Sequence, residues 1–278
     1  MSKIGVLITL TAETDVDKEF AKVKELGLGS CQVCIWDPTL YTDDNAAAIV
    51  AAMNQYDIEV STLWAGWTGP CEWNFTDGPV TIGLVPAAYR AHRLQELDLG
   101  SQFAEKIGVN SLATHVGFLP VSPADPDFIA TVSGLRWLAR RMQGRGQTFL
   151  FETGQETPVT VLRAIQAIGT DNLGINFDTA NLILYGMGNP VDALDVFGKY
   201  VKNTHIKDGL FPTDGLHLGS EVQVGEGLAN LPVVVKKLRD LGYTGPFTIE
   251  REISGEAQTR DILATKAYLE KLFAEYGM

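Results

Sequence analysis

Residues 148–178 read TFLFETGQETPVTVLRAIQAIGTDNLGINFD, and this stretch decides the fold. It begins with one short apolar run, residues 148–152, and closes with another, residues 173–178. Runs of this length and composition are typical of buried strands. The segment between them is helical in pattern and ends at Ile168-Gly169, where glycine supplies the left-handed backbone conformation that stops a helix. The stretch therefore predicts a strand, a helix and a second strand.

The same alternation extends along the whole chain. Helical segments separate eight apolar runs, at residues 4–10, 31–36, 58–64, 111–115, 148–152, 173–178, 201–207 and 247–250. Further helices end at Gly27, Gly108 and Gly242, and Thr14 with Asp17 predicts a capping box for the first helix. Repeated strands and helices with nearly continuous apolar strands indicate a parallel sheet covered by helices. We therefore expect residues 1–278 to form a single (β/α)8 TIM barrel.

The main alternative is an open, doubly wound sheet. Such a sheet should carry a glycine-rich turn after its first strand, but Thr9-Leu-Thr-Ala-Glu-Thr14 contains no glycine. A length of 278 residues is compatible with one or two domains, and α/β barrels of this size are commonly one domain. The barrel is therefore the favoured fold.

Composition and charge narrow the class of protein. With 45% hydrophobic and 20% charged residues, the chain is typical of a globular protein with a large core. Its 34 acidic residues exceed its 22 basic ones, and the net charge of −12 would repel a phosphodiester backbone. We therefore expect no nucleic acid partner. The apolar run at residues 4–10 is too short to span a membrane and lacks a cleavage site, so we expect a cytoplasmic protein without a membrane partner.

Cys31 and Cys34 form a C-x-x-C pair that resembles a redox or metal motif. Both lie in a predicted strand, where positions three apart point to opposite faces, whereas redox pairs are typical of helix N-termini. We therefore interpret the two cysteines as small buried side chains with a structural role.

Two connections, residues 65–85 and 208–229, are longer than ordinary connections between a strand and a helix. In a barrel both would leave the carboxyl ends of strands, where active sites form, so we expect them to be walls of a binding site. The first contains Trp67, Trp73 and Phe75. Their aromatic faces suit the C–H surface of a sugar, although packing of the loop onto the barrel is an equally good explanation for any one of them.

Charged side chains stand at or near the ends of four successive predicted strands, namely Glu152, Asp178, His205 and Glu250. The carboxyl ends of barrel strands meet at one mouth, so these groups should converge at the rim of the core. Uncompensated charge there would cost several kcal/mol. A single residue of this kind is more simply explained as a helix cap or as the partner of a lysine. Four of them at the same end of successive strands predict a bound divalent cation. Oxygen ligands with one nitrogen suit Mg²⁺, Mn²⁺ or Co²⁺.

Neighbouring polar residues are candidates for supporting roles. His115 ends the fourth predicted strand beside this group, where it either hydrogen-bonds a substrate or has a structural role. Asp208 follows His205 and Lys207 closely in sequence, and we expect its carboxylate to orient the His205 ring.

Several motifs resemble those of the xylose isomerase-like sugar isomerase and epimerase superfamily, most strongly from residue 110 onward. They are Phe151-Glu152, Asn176-Phe-Asp-Thr-Ala180, Thr204-His-Ile-Lys-Asp208, Val224-Gly-Glu-Gly227, Leu241-Gly-Tyr-Thr-Gly245 and Thr248-Ile-Glu250. The resemblance implies a barrel, a dimer or tetramer, and one Mn²⁺, Mg²⁺ or Co²⁺ ion held by Glu152, Asp178, His205 and Glu250. In its ketose 3-epimerase members the two glutamates also exchange protons with a carbon next to a carbonyl.

The chain departs from the epimerase pattern at Asn181, where many members have a histidine. Whether residue 181 contacts the substrate directly is therefore an open question. The superfamily also contains inosose dehydratases and apurinic endonucleases. The endonucleases use a histidine-rich zinc cluster, which four histidines and a charge of −12 disfavour.

The residues themselves also support proton transfer at a carbon next to a carbonyl. This reaction needs a base on one face of the substrate, an acid that returns the proton, and a Lewis acid that holds the oxygens. Glu152 and Glu250 fit the first two roles. We therefore predict a metal-dependent sugar isomerase or 3-epimerase that acts on a keto sugar or related polyol, with His115, Asn181, Trp67 and Lys207 as substrate contacts. An inosose-type dehydratase and a non-catalytic sugar-binding barrel are the alternatives, and no phosphate-binding loop or basic cluster decides whether the substrate is phosphorylated.

Overall fold

The computed structural model describes residues 2–278 and contains ten strands. Their bounds are β1 Ile4–Leu10, β2 Ser30–Ile35, β3 Glu59–Ala65, β4 Ser111–His115, β5 Thr148–Glu152, β6 Leu173–Asp178, β7 Val201–Ile206, β8 Asp208–Leu210, β9 Ser220–Val222 and β10 Phe247–Ile249. Eight of them close into a parallel barrel in the order β1, β10, β7, β6, β5, β4, β3, β2. The predicted (β/α)8 TIM barrel is therefore confirmed.

In the described part of the chain, residues 2–278, ten α-helices accompany the strands and follow most of them. Their bounds are α1 Val16–Glu25, α2 Asp43–Tyr56, α3 Gly78–Thr81, α4 Ala87–Lys106, α5 Pro126–Gly144, α6 Pro158–Ile168, α7 Asn181–Leu184, α8 Pro190–Phe197, α9 Leu231–Asp240 and α10 Gly255–Tyr276. Within residues 2–278, none of these helices combines the length and the apolar character needed to cross a bilayer.

The structure differs from the sequence prediction at two places. β8 and β9 form a small antiparallel hairpin within the second long connection, where two strands of three residues each gave no detectable periodicity. The capping box at Thr14 is wrong, because α1 begins one residue later and the side chain of Asp15 accepts from the Lys18 N–H at 3.3 Å. Asp17 instead accepts hydrogen bonds from Gln55 and Tyr56 of α2, each at 3.0 Å.

The predicted glycine ends are confirmed, since Gly27, Gly108, Gly169 and Gly242 all have φ between 67° and 74°. The apolar core has an outer layer between strands and helices and a small inner cluster of Cys34, Trp64, Ala113 and Leu150. Cys31 packs in the outer layer, so the two cysteines lie on opposite sides of β2, as their spacing predicted. Burial raises the pKa of both thiols, which disfavours the reactive thiolate.

Close backbone packing fixes the exit of β3 toward the first long connection. Gly66 follows β3 and donates its N–H to the Ile35 carbonyl at 2.9 Å. A Cβ atom at this position would lie 2.4 Å from a ring carbon of Trp36 and 2.7 Å from its Cα. Glycine is therefore required by this contact.

We predict that Gly66→Ala lowers the free energy of unfolding by about 1–3 kcal/mol, because the added methyl group collides with Trp36. Urea denaturation would measure the change. Gly144→Ala is the matched control, since a Cβ there meets no atom within 4 Å, and this change should be neutral or stabilise by about 0.4–1 kcal/mol. Equal effects of the two substitutions would contradict the packing argument.

Candidate active site

The barrel register brings the predicted site residues to one mouth. His115 pairs with Glu152 across β4 and β5, and Asp178 pairs with His205 across β6 and β7. Thr248 of β10 pairs with His205, which places Glu250 just beyond the end of its strand. These positions lie at the carboxyl ends of the strands, so the convergence predicted from sequence is present in the fold.

Glu152, Asp178 and His205 form a compact buried cluster. Each offers one ligand atom, and the three atoms all lie within 4.8 Å of one another. Glu152 Oε1, Asp178 Oδ2 and His205 Nδ1 are buried without a hydrogen-bond partner, although Glu152 Oε1 and His205 Nδ1 are 3.1 Å apart. Buried polar atoms normally have partners, so three unpartnered atoms facing one point indicate a site for a cation.

The second oxygen of each carboxylate is held by the protein. Asp178 Oδ1 accepts the backbone N–H groups of Ala180 and Asn181 at 2.7 Å each, at the start of α7. Glu152 Oε2 accepts from Asn176 Nδ2 and, at 3.4 Å, from Trp64 Nε1. Burial raises the pKa of Asp178 well above its usual range, although Lys207 opposes this effect.

Glu250 stands at the edge of this cluster rather than within it. Its Oε2 lies 3.3 Å from His205 Nδ1 and 3.3 Å from Lys207 Nζ. Burial favours the neutral acid, but Lys207 and His205 outweigh it and hold the pKa of Glu250 well below its usual range. Glu250 is therefore an ionised carboxylate that contacts both the cluster and a lysine.

Lys207, a predicted substrate contact, is enclosed by carboxylates. Only 1% of its side chain is exposed, and its Nζ also lies 3.0 Å from Glu252 Oε1 and 3.9 Å from Asp178 Oδ2. Burial lowers the pKa of Lys207, but Glu250, Asp178 and Glu252 more than reverse this and raise it well above its usual range. The structure thus uses Lys207 to neutralise acidic groups.

A cavity of about 550 Å³ opens above the cluster. Its lining includes Glu152, His205 and Glu250 on the floor, and aromatic and polar side chains on the walls, among them Trp36, Trp64, Trp73, His115, Asn181 and Tyr185. The ring of Trp36 lies 4.9 Å from that of Trp64 and 6.1 Å from that of Trp73. The acidic floor is therefore covered by a group of flat apolar surfaces.

The first long connection contributes one wall of the cavity, through Trp73 but not through Trp67. Trp73 lines the cavity, whereas Trp67 is 3% exposed and packs behind it against Trp36, at 5.4 Å between rings. The guanidinium of Arg93, 5.2 Å from the Trp67 ring, donates to the carbonyls of residues 68, 70, 81 and 83. The expectation that Trp67 contacts substrate is therefore wrong, because Arg93 anchors this loop with Trp67 inside.

Asp208 does not orient His205, and this expectation is also wrong. Its two carboxylate oxygens accept the backbone N–H groups of Gly209, Gly225, Gly227 and Ala229 at 2.9–3.0 Å. Asp208 therefore holds the second long connection in shape. Phe75 of the first connection donates its N–H to the Leu216 carbonyl at 3.3 Å, which joins the two walls.

The partner that His205 uses instead is Gln32, whose Oε1 lies 2.9 Å from His205 Nε2. Sequence reasoning missed Gln32, Asn176, Trp36 and Trp64 as site residues. A signal was present for Gln32, because it is an uncharged polar residue within the apolar run of β2, and such residues need a buried partner.

His115 lies at the wall of the cavity between two tryptophan rings, 5.5 Å from Trp64 and 5.3 Å from Trp73. Burial lowers the pKa of His115 to about 4, even though Glu152 and Glu250 act in the opposite direction. Its Nδ1 has no partner in the protein. His115 is therefore a neutral imidazole at the cavity wall whose buried Nδ1 makes no hydrogen bond within the protein.

A closed barrel with a buried acidic cluster at its carboxyl ends defines the class of (β/α)8 proteins whose site is built from strand ends. The family model described as xylose isomerase-like TIM barrel matches residues 20–272. The chain therefore belongs to the xylose isomerase-like TIM barrel family, and the resemblance seen in its motifs is confirmed.

Solved structures agree with this assignment. A xylose isomerase domain protein from Planctomyces limnophilus is 33% identical, with a TM-score of 0.93 over 99% of both chains. A D-tagatose 3-epimerase-like protein is 19% identical with a TM-score of 0.74 over 99% of this chain and 98% of its own. A barrel protein of the same family from Mycobacterium smegmatis, solved in complex with magnesium, is 16% identical with a TM-score of 0.74 over the same shares. The last two likenesses show the fold alone.

A curated relative is an uncharacterised protein of Methanocaldococcus jannaschii, which is 32% identical over 118 residues. This alignment covers 41% of the present chain and 37% of the relative, so little more than a third of the relative's length is matched.

We predict that Asp208→Asn loosens the second long connection, because the amide keeps only one acceptor oxygen and its nitrogen cannot accept. Either Gly209 and Ala229 or Gly225 and Gly227 then lose their acceptor. Hydrogen exchange at the two amides of that pair should accelerate about tenfold or more, while the barrel strands stay protected. Asp214→Asn is the control, since Asp214 is exposed in the same connection and accepts only from neighbouring residues. Unchanged exchange at all four amides, residues 209, 225, 227 and 229, would show that Asp208 is not the anchor.

His115 should make stability depend on pH in a defined direction. The unfolded chain takes up a proton at this histidine near pH 6.5, whereas the folded chain resists it until about pH 4. Its contribution to the free energy of unfolding is therefore present above pH 6.5 and is lost as the pH falls toward 4. We predict that His115→Gln weakens the decline in stability between pH 7 and pH 5, measured by urea denaturation. An identical decline in both proteins would exclude a depressed pKa at His115.

Proposed function

We propose that this protein is a metal-dependent isomerase or 3-epimerase that moves a proton at the carbon next to the carbonyl of an unphosphorylated keto sugar or related polyol. The observation that carries the proposal is the set of three unpartnered buried ligand atoms on the floor of an aromatic cavity, with the ionised Glu250 beside them. The family consists largely of sugar isomerases and epimerases, which agrees with this chemistry.

The residues present fit a divalent cation. Glu152, Asp178 and His205 would hold it, and Glu250 would complete the set from its position 3.3 Å from His205 Nδ1. Two or three carboxylates with one imidazole suit Mg²⁺, Mn²⁺ or Co²⁺. A structure of a family member in complex with magnesium supports the same choice. Such an ion would act as a Lewis acid for the substrate oxygens.

Proton transfer falls to Glu152 and Glu250. Both reach the same nitrogen of His205, from β5 and from the end of β10, so they flank one point on the cavity floor. One carboxylate takes the proton from the carbon beside the carbonyl, and the electron pair passes to the carbonyl oxygen. Return of a proton to the opposite face of that carbon gives the epimer. Return to the former carbonyl carbon gives the isomer, provided that the hydroxyl proton on the first carbon moves to the former carbonyl oxygen.

The charges around the cavity favour a substrate without phosphate. Arg251 is the only arginine or lysine among the residues that line it, and its guanidinium pairs with Glu221 at 2.9 Å and Asp261 at 2.8 Å. Lys207 is similarly occupied by Glu250 and Glu252. No basic group near the described cavity is therefore left to compensate a phosphate dianion, whereas the tryptophan faces suit the C–H surface of a neutral sugar.

We predict that the metal-loaded protein, incubated in D₂O with a panel of free ketoses and inososes, introduces deuterium at the carbon next to the carbonyl of its substrate. Glu152→Gln and Glu250→Gln should each reduce this exchange by roughly 10²-fold or more, the scale of lost acid–base catalysis. Mass spectrometry or NMR of the sugar would measure it. Glu256→Gln, an exposed carboxylate at the start of α10, is the control and should exchange normally.

Metal content must be measured in each variant, because glutamine also weakens a metal ligand. A substrate labelled at the same carbon detects transfer that never reaches solvent. Exchange accompanied by loss of water from the product would assign the protein to the dehydratase alternative. Absence of exchange, label loss and label transfer across the panel, with metal bound, would leave only a sugar-binding role.

A further inference from the structure

A chain of three hydrogen bonds crosses the interior of the barrel beneath the acidic cluster. His205 Nε2 lies 2.9 Å from Gln32 Oε1, and Gln32 Nε2 donates to Asn176 Oδ1 at 2.9 Å. Asn176 Nδ2 donates in turn to Glu152 Oε2. All four side chains are buried. We call these three bonds the relay.

The relay has only one consistent direction. Asn176 presents its amide nitrogen to Glu152 Oε2 and its amide oxygen to Gln32. The Asn176 oxygen then faces Gln32 and requires its amide nitrogen, which leaves the Gln32 oxygen toward His205. An oxygen acceptor at this end requires a proton on His205 Nε2. The lone-pair nitrogen that can serve as a ligand is therefore Nδ1.

We infer that Gln32 and Asn176 are positioning residues, which select the nitrogen of His205 and the oxygen of Glu152 that face the cation site. The relay occupies His205 Nε2 and Glu152 Oε2. The atoms that remain, His205 Nδ1 and Glu152 Oε1, are two of the three unpartnered ligand atoms. The inference rests on the proposed function in one respect, namely that these atoms bind a divalent cation.

The topology explains why glutamine occupies residue 32. β2 borders β1 and β3, whereas Asn176 lies on β6 and His205 on β7, so Gln32 reaches its partners across the lumen. Its side chain must accept at one atom and donate at another. Other long side chains lack one of these two functions: an ionised glutamate has no donor, and lysine has no acceptor. Methionine has a similar unbranched shape but only a weak acceptor. The position therefore requires an amide with a long side chain.

The test compares wild type with Gln32→Met and a matched control, Thr248→Val. Thr248 is fully buried on β10, pairs in register with His205 and donates to Asn203 at 3.2 Å. The control therefore removes a buried hydrogen bond from the same interior without touching the relay. A purely structural role for Gln32 predicts the same behaviour from both variants.

The first measurement needs no metal. Long-range ¹H–¹⁵N spectra of the four histidines, with His205 assigned by loss of its signal in His205→Asn, report which ring nitrogens carry protons. In metal-free wild type we expect a proton on Nε2 that exchanges slowly with water. Gln32→Met should speed its exchange about tenfold or more, and Thr248→Val should not. An unprotonated Nε2 in wild type would overturn the inference, whether or not any variant folds.

The second measurement is the affinity for Mn²⁺ and Mg²⁺ by calorimetry. Gln32→Met should weaken binding about 10- to 100-fold, the usual effect of removing the partner of a ligand, while Thr248→Val should stay within about threefold. Equal affinities of folded Gln32→Met and wild type would overturn the positioning role. If wild type has a protected Nε2 proton but binds neither ion, the metal-dependent function fails and the relay remains.

Discussion

Three acidic side chains surround the ring of His205 at the floor of the cavity, namely Glu152, Asp178 and Glu250. Little of their surface is exposed to water. Ionised groups in such a place are unfavourable by several kcal/mol each unless opposite charge or hydrogen bonds compensate them. Lys207 supplies this charge for Glu250 and lies 3.9 Å from Asp178 Oδ2, but Glu152 Oε1 and Asp178 Oδ2 accept no hydrogen bond. A cation at this point, as proposed above, would supply the compensating charge and accept these free oxygens as ligands.

In each cluster residue, one polar side-chain atom is hydrogen-bonded to the protein and the other polar atom is not. The start of α7 holds Asp178 Oδ1, Asn176 holds Glu152 Oε2, and Gln32 holds His205 Nε2. Because each side chain is fixed through one atom, its remaining atom has a defined direction without rearrangement. This arrangement is preorganisation, which lowers the entropy lost when a cation or substrate binds.

The sequence alone predicted the barrel and the converging strand ends, because both follow from short-range periodicity and from where each strand stops. It did not predict contacts that depend on distant segments. Asp208 is close to His205 in sequence, yet the chain turns after β7 and its carboxylate serves the loop instead. Trp67 was predicted to face the substrate, but it lies beneath its loop, where Arg93 of α4 contacts its ring and anchors the loop backbone. Gln32 reaches its partners only across the closed barrel.

The two glutamates proposed to move protons are not equivalent. Glu152 is almost fully buried, and Asn176 and Trp64 occupy one of its oxygens, so one oxygen faces the cluster. Glu250 is more open, with 13% of its side chain exposed, and Lys207 favours its charged form. A proton accepted by Glu250 would therefore be held weakly and returned readily. Under the proposed mechanism, Lys207 keeps Glu250 in the ionised form that can accept a proton, whereas Asn176 and Trp64 hold the more deeply buried Glu152 in place.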